Sequence, residues 1–133
     1  MGEANFGNRT DGKPNPWFAV PGLDKYWGKD IFISEALTQE ATKALDKAQQ
    51  YDQPFFLYMS HYAIHVPIDK DMRFYQKYID KGLGEKEAAY AALIEGMDKS
   101  LGDIMDYLEK NKLADNTIII FMSDNGGLAA EPE

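Results

Sequence analysis

The chain has 133 residues, no Cys, and 14 Lys+Arg against 22 Asp+Glu, a net charge of −8. That length suits one compact domain or a piece of a larger one, and without Cys there is no disulfide scaffold, Cys-based zinc site or thiol nucleophile. The acidic balance counts against a nucleic-acid partner, whose affinity rests on neutralising phosphates, and no apolar run approaches the ~18 residues of a membrane span.

Residues 1–30 read as an irregular loop segment. Turn signals crowd together there, among them Asp11-Gly12-Lys13-Pro14, Asn15-Pro16-Trp17 and Pro21-Gly22. So long a loop suggests a functional segment or one missing its neighbours. Met1-Gly2-Glu3-Ala4-Asn5 has neither the basic nor the apolar region of a signal peptide.

A helix is predicted to follow Ser34 as N-cap and to end at Gln53-Pro54. Leu37, Ala41, Ala44, Leu45 and Ala48 form its apolar face, with Glu40, Lys43 and Lys47 outward. Phe55 to Met59 is a short continuous apolar run, bounded by Pro54, and predicts a buried strand. Lys70, Arg73, Lys77 and Lys81 fit a solvated helical face better than the rim of an anion site. From about Glu85 to Asn111 the helical period returns through Ile94, Met97, Leu101, Ile104, Met105 and Leu108, with Glu95 and Lys99 as an i,i+4 pair. Gly96 and Gly102 each weaken that helix by ~1 kcal/mol relative to Ala unless close packing requires them. After the Asp115-Asn116 turn, Thr117 to Met122 is the clearest strand in the chain. The expectation is α/β: a βαβ core with mainly parallel strands over residues 31–128, crossing over right-handed.

Each predicted strand runs directly into polar residues. The first leads to Ser60-His61-Tyr62-Ala63-Ile64-His65-Val66-Pro67 and the second to Ser123-Asp124-Asn125-Gly126-Gly127. In open α/β sheets ligands bind outside the carboxyl ends of the strands, so parallel strands put both clusters on one edge. Asp124 and Asn125 offer hard oxygens suited to calcium or magnesium, too few alone for the ~6–8 that calcium takes. The same five residues also make an ordinary turn. His65 could bind an anionic oxygen or donate a proton to a leaving group, or serve as a structural loop histidine. His61, nearer the strand, fits packing better. A Ser-His-Asp triad from Ser60 or Ser123, His65 and Asp124 has no nucleophile elbow to support it.

Phe55 to Pro67, Tyr90 to Leu108 and Thr117 to Leu128, in that order, resemble successive blocks of bacterial sulfatases of the alkaline phosphatase superfamily. The resemblance implies a partial alkaline-phosphatase-like fold and sulfuric ester hydrolysis in the parent enzyme. It assigns calcium ligation to Asp124 and Asn125 of Asp-Asn-Gly, and sulfate contact to His65 of His-x-Pro. A formylglycine is expected in the parent but not here. There is no Cys, and none of Ser34, Ser60, Ser100 or Ser123 stands in the Cys/Ser-x-Pro-x-Arg pattern. Nor do residues 1–30 hold the family's Lys-x-His pair, and no Gly-Lys-Gly follows Asp124. The resemblance therefore implies an internal fragment of a catalytic domain, ending in a truncated tail at 129–133 and inactive alone. Its implied partner is a sulfate ester in the parent enzyme, and uncovered sheet edges predict self-association. Many members are exported, so a periplasmic or secreted parent is the expectation. The rivals are a phosphatase or phosphodiesterase of the same superfamily, which favours His where Asn125 stands and uses zinc or manganese, and a non-catalytic interaction module.

Overall fold

The computed structural model describes residues 20–27, 29–66 and 68–127. Most of the irregular 1–30 segment, Pro67, Leu128 and the tail at 129–133 lie outside the described residues. The described elements are three helices: α1, Ile33–Gln50; α2, Tyr75–Asp80; and α3, Glu85–Lys110. Short 3-10 turns at Asp24–Tyr26 and Ala114–Asn116 precede α1 and follow α3.

The charge pattern of α1 and α3 favours helix at both ends. Acidic Glu35, Glu85 and Glu87 stand in first turns, and Lys47 and Lys110 in last turns, each opposing the local end of the helix dipole. All three helices stop in the same way. The amides of Gln53, Leu83 and Leu113 donate to the carbonyls of Ala48, Tyr78 and Leu108 across a left-handed residue. That residue is Gly82 in α2, but Asp52 and Lys112 in the long helices, at φ +48° and +58°.

α1 does not begin where expected. Its N-cap is Phe32, and Ser34 lies buried inside the first turn. The Ser34 hydroxyl accepts a hydrogen bond from Arg73 Nη2 at 3.0 Å, so it is engaged by a distant side chain instead of capping its own helix.

α1 and α3 pack side by side and run parallel. Thr38 and Ser100, 62 positions apart, share a buried hydrogen bond, and Tyr107 donates to Asp46, 61 positions earlier. A constant separation along two helices is the mark of parallel alignment, since antiparallel pairs would change theirs by two for each step. Ala41, Leu45, Ile104 and Leu108 form the buried apolar part of this contact. The rest is small or polar: Ser34, Thr38, Gly96 and Ser100 are buried too. This displaces the predicted apolar stripes. Ala44 is exposed, and Ile94 and Met105 are 42% and 48% exposed, because the helices approach along a row where hydrophobicity alone marks no face.

Gly96 meets the close-packing condition. A Cβ there would lie 2.6 Å from Asp71 Oδ2. Asp71 is completely buried, and its carboxylate accepts from Arg73 Nε and Nη2 at 2.9 and 2.6 Å. Arg73 also reaches Glu35 at 3.2 Å, so this one guanidinium ties the turn before α2 to the start of α1. Lys70 pairs with Glu85, and Lys77 with Glu95. Three of the four residues of the basic run are therefore neutralised within the fold, but only Lys77 lies in a helix, since Lys70 and Arg73 precede α2 and Lys81 follows it, so the expected helical face is not formed by this run. The expected Glu95–Lys99 pair is replaced: Lys99 binds Asp103 at 2.7 Å.

The expected βαβ core is not confirmed. Among the described residues there is no strand. Residues 55–59 nevertheless alternate as a strand does. Phe55, Leu57 and Met59 pack on the cluster of Ala41, Leu45, Ile104 and Leu108, whereas Phe56 is 93% exposed. Residues 118–122 are all exposed, Ile118 to 89%. A continuous apolar run predicts burial on both faces, but a strand also needs a backbone partner on its edge, and no described segment supplies one.

Candidate functional site

The helix pair determines where the two polar clusters go. Chain 51–71 starts at the end of α1 and returns to its beginning, because Arg73, clasped by Asp71, reaches Ser34 and Glu35. That is a return of about 26 Å along the axis, at 1.5 Å per helical residue. His65 lies in its last third. The chain after α3 makes the same journey. Leu113 is bonded to Leu108, yet Gly127 lies against Tyr90, near the start of α3. Both clusters therefore sit on segments that run back from the C-terminal ends of α1 and α3.

His65 is exposed, and its Nδ1 lies 2.7 Å from the Val66 carbonyl. A carbonyl only accepts, so this contact places the proton on Nδ1 and leaves Nε2 as the nitrogen to meet a ligand. The backbone just before it is strained. Ile64 has φ +63°, in the left-handed region that branched side chains avoid, at the third position of a turn closed by His65 N–H to the Tyr62 carbonyl at 3.2 Å. A position where glycine is usual holds a half-buried isoleucine. Such outliers cluster at sites where the surroundings dictate the backbone.

His61 is half-buried, with its Nδ1 enclosed and without a hydrogen-bond partner. Burial pushes its pKa down. A neutral ring against packed neighbours fits the packing role expected for it.

Asp124 and Asn125 are exposed in a tight local turn. Asp124 Oδ1 accepts the Asn125 backbone N–H at 2.9 Å, and the Ser123 hydroxyl donates to the Asn125 carbonyl. These bonds tie the Asp124 carboxylate and the Ser123 hydroxyl to the Asn125 backbone. As hard, accessible oxygens the two side chains fit calcium chemistry. They do not complete a site, since no group of three or more His, Asp and Glu able to hold a metal occurs among the described residues. A concave cleft runs between residues 30–35 and 71–73, and none of His65, Asp124 or Asn125 lines it.

Two features of the site were missed by pattern reading. Gly126 and Gly127 suggest a backbone approaching a ligand, but Gly127 instead approaches the Tyr90 hydroxyl, and nothing lies near Gly126's α-carbon on its side-chain side. The strain at Ile64 has no local signal at all, because isoleucine is the residue least suited to announce a left-handed turn.

The sulfatase family model matches residues 2–131, so the chain belongs to the sulfatase family. It is 39% identical over 102 residues to uncharacterized sulfatase YdeN of Escherichia coli (strain K12), covering 76% of this chain and 18% of that protein. To the N-acetylgalactosamine-6-O-sulfatase of Bacteroides thetaiotaomicron it is 35% identical over 116 residues, 87% of this chain and 21% of that one. A sulfatase of Formosa agariphila is 33% identical over 124 residues, covering 85% and 21%. The chain thus spans about a fifth of the length of the curated relatives it matches. Membership implies the alkaline-phosphatase-like fold. No described helix is long and apolar enough to cross a membrane.

Proposed function

We propose that this chain is the segment of a sulfuric ester hydrolase that brings His65 to the sulfate group and Asp124 and Asn125 to an active-site calcium. The observation that carries this reading is the parallel pair α1 and α3, each followed by a segment running back along it. Two parallel helices followed by two returning segments are the arrangement of successive β–α units with their sheet removed. It supports a shared edge for the two polar clusters. In the parent fold residues 55–59 and 117–122 are then strands whose uncovered faces, Phe56, Tyr58, Ile118 and Ile120 among them, meet neighbouring elements of the sheet and its flanking layer.

A calcium bound there would supply positive charge to stabilise the negative charge developing on the sulfuryl oxygens. The chain's own residues do the rest of their share. Asp124 and Asn125 would hold the cation through the carboxylate and the amide oxygen. His65, with Nδ1–H engaged by Val66, offers Nε2 to a sulfuryl oxygen, donating when the ring is protonated. No residue of this chain fits as the precursor of a formylglycine, so the nucleophile belongs elsewhere in the protein.

The test uses an aryl sulfate and the matching aryl phosphate. The 133-residue chain alone should hydrolyse neither. A full-length protein containing it should prefer the sulfate, and His65→Ala or Asp124→Ala should lower kcat/KM by about 10²-fold or more. Preference for the phosphate would favour the phosphatase reading, and robust, metal-dependent turnover of the sulfate by the isolated chain would overturn the assignment of the nucleophile elsewhere.

A further inference from the structure

Tyr90 stands on the second turn of α3, half-buried, where sequence gives it no chemistry to perform. Its hydroxyl oxygen nevertheless occupies the space a side chain on Gly127 would need. A Cβ on Gly127 would lie 2.5 Å from that oxygen, and 3.8 Å from the ring carbon bearing it. The first distance is an overlap; the second is ordinary van der Waals contact. The obstruction is thus one atom. Gly127 is the end of the described chain after α3 and lies two residues past Asn125, so whatever holds Gly127 also limits where the Asp124–Asn125 turn can be. The turn is internally tied by the Asp124 carboxylate and the Ser123 hydroxyl. Two residues further on, Gly127 meets a rigid element at Tyr90.

From this geometry we propose that Tyr90 is a positioning residue, whose hydroxyl seats Gly127 against α3 and so sets the place of the Asp124 carboxylate and the Asn125 amide. The proposal rests on the metal role assigned above to those two side chains, but the seating itself does not depend on it. It also gives Gly127 a reason distinct from turn formation. A helix-borne hydroxyl lies where a side chain on Gly127 would stand.

Three variants of the full chain decide the matter by the backbone amide spectra of residues 123–127. Gly127→Ala alone should displace these resonances, while amides in the middle of α1 and α3 stay in place. Tyr90→Phe in the Gly127→Ala background should bring them back toward the wild-type positions, because only the hydroxyl overlaps the new methyl. Tyr90→Phe alone should raise hydrogen exchange at Gly126 and Gly127. If the double variant is displaced as far as Gly127→Ala, Tyr90 does not seat the loop and the proposal fails. Calcium alone is then titrated into each protein. Gly127→Ala should weaken the calcium-induced shifts at Asp124 and Asn125 several-fold, with the double variant restored. A chain that seats Gly127 as described but gives no calcium shifts at Asp124 or Asn125 in any variant would overturn the link to the metal ligands and leave the seating, already decided by the calcium-free spectra, standing.

Discussion

Thr38 on α1 and Ser100 on α3 are joined by a buried hydrogen bond of 2.5 Å between their hydroxyl oxygens. Thr38 also donates to the Ser34 carbonyl at 2.7 Å, which uses its single proton and makes Ser100 the donor of the pair. Thr38→Val leaves the Ser100 hydroxyl without this acceptor and should cost about 1–3 kcal/mol of stability. Adding Ser100→Ala should recover at least half of that loss, since removing both partners leaves nothing unsatisfied. Urea unfolding of the two single variants and the double variant measures the coupling, and strict additivity would refute the pairing.

The two glycines of α3 should respond oppositely to alanine. At position 96 the new methyl meets Asp71, a completely buried carboxylate that Arg73 holds from moving aside, so Gly96→Ala should destabilise by about 1–3 kcal/mol. Position 102 has open space around it, so Gly102→Ala should stabilise by up to about 1 kcal/mol through helix propensity alone. Thermal melts of both variants are the check. A stabilising Gly96→Ala would mean that Asp71 is not held as described.

Glu40 determines an acid-sensitive part of the stability. Partial burial pushes its pKa up, but hydrogen bonds from Lys25, Lys43 and Tyr26 outweigh this and bring it from the ordinary 4.5 to about 2. A depressed carboxylate stabilises the fold fully above its unfolded value, and that contribution fades as pH falls from 4.5 toward 2. Because the partners are solvent-facing lysines, the contribution is discounted to about 1 kcal/mol. Comparing wild type with Glu40→Gln, the stability difference near pH 6 should shrink across that window; a constant difference would show that the ion pairs carry none of it.

The uncovered apolar segment should make the isolated chain self-associate. Ile118 and Ile120 are 89% and 77% exposed, and no described backbone pairs with theirs in a strand. Sedimentation should therefore reveal association that grows with concentration, and Ile118→Lys with Ile120→Lys should reduce it. A tight monomer at every concentration would favour the non-catalytic module.

The extent of α1 and α3 was legible in the sequence to within a few residues, because helical period, terminal charges and Pro54 act over one or two turns. So were Ala41, Leu45, Ile104 and Leu108 as core. The inward face between them was not, since Ser34, Thr38, Gly96 and Ser100 are buried by a neighbouring helix 61–62 positions away and carry no hydrophobic signal. The site divides in the same way. His65, Asp124 and Asn125 stand out as chemistry-bearing types after apolar runs. Tyr90, an aromatic in a helix, is indistinguishable from any core residue until Gly127 is seen beside it.

The sequence by itself determined the family, the helical segments and which side chains are of a type able to react or ligate, because each depends on residue type and near neighbours. Only the tertiary structure decided which cation answers which carboxylate, why position 96 admits no side chain and how the chain after α3 returns to Tyr90. Those are distances between residues far apart in the chain, set by packing that no local pattern encodes. The apolar runs at 55–59 and 117–122 mark the boundary between the two. Their composition suits strands, but a strand exists only where another backbone lies alongside to complete its hydrogen bonds.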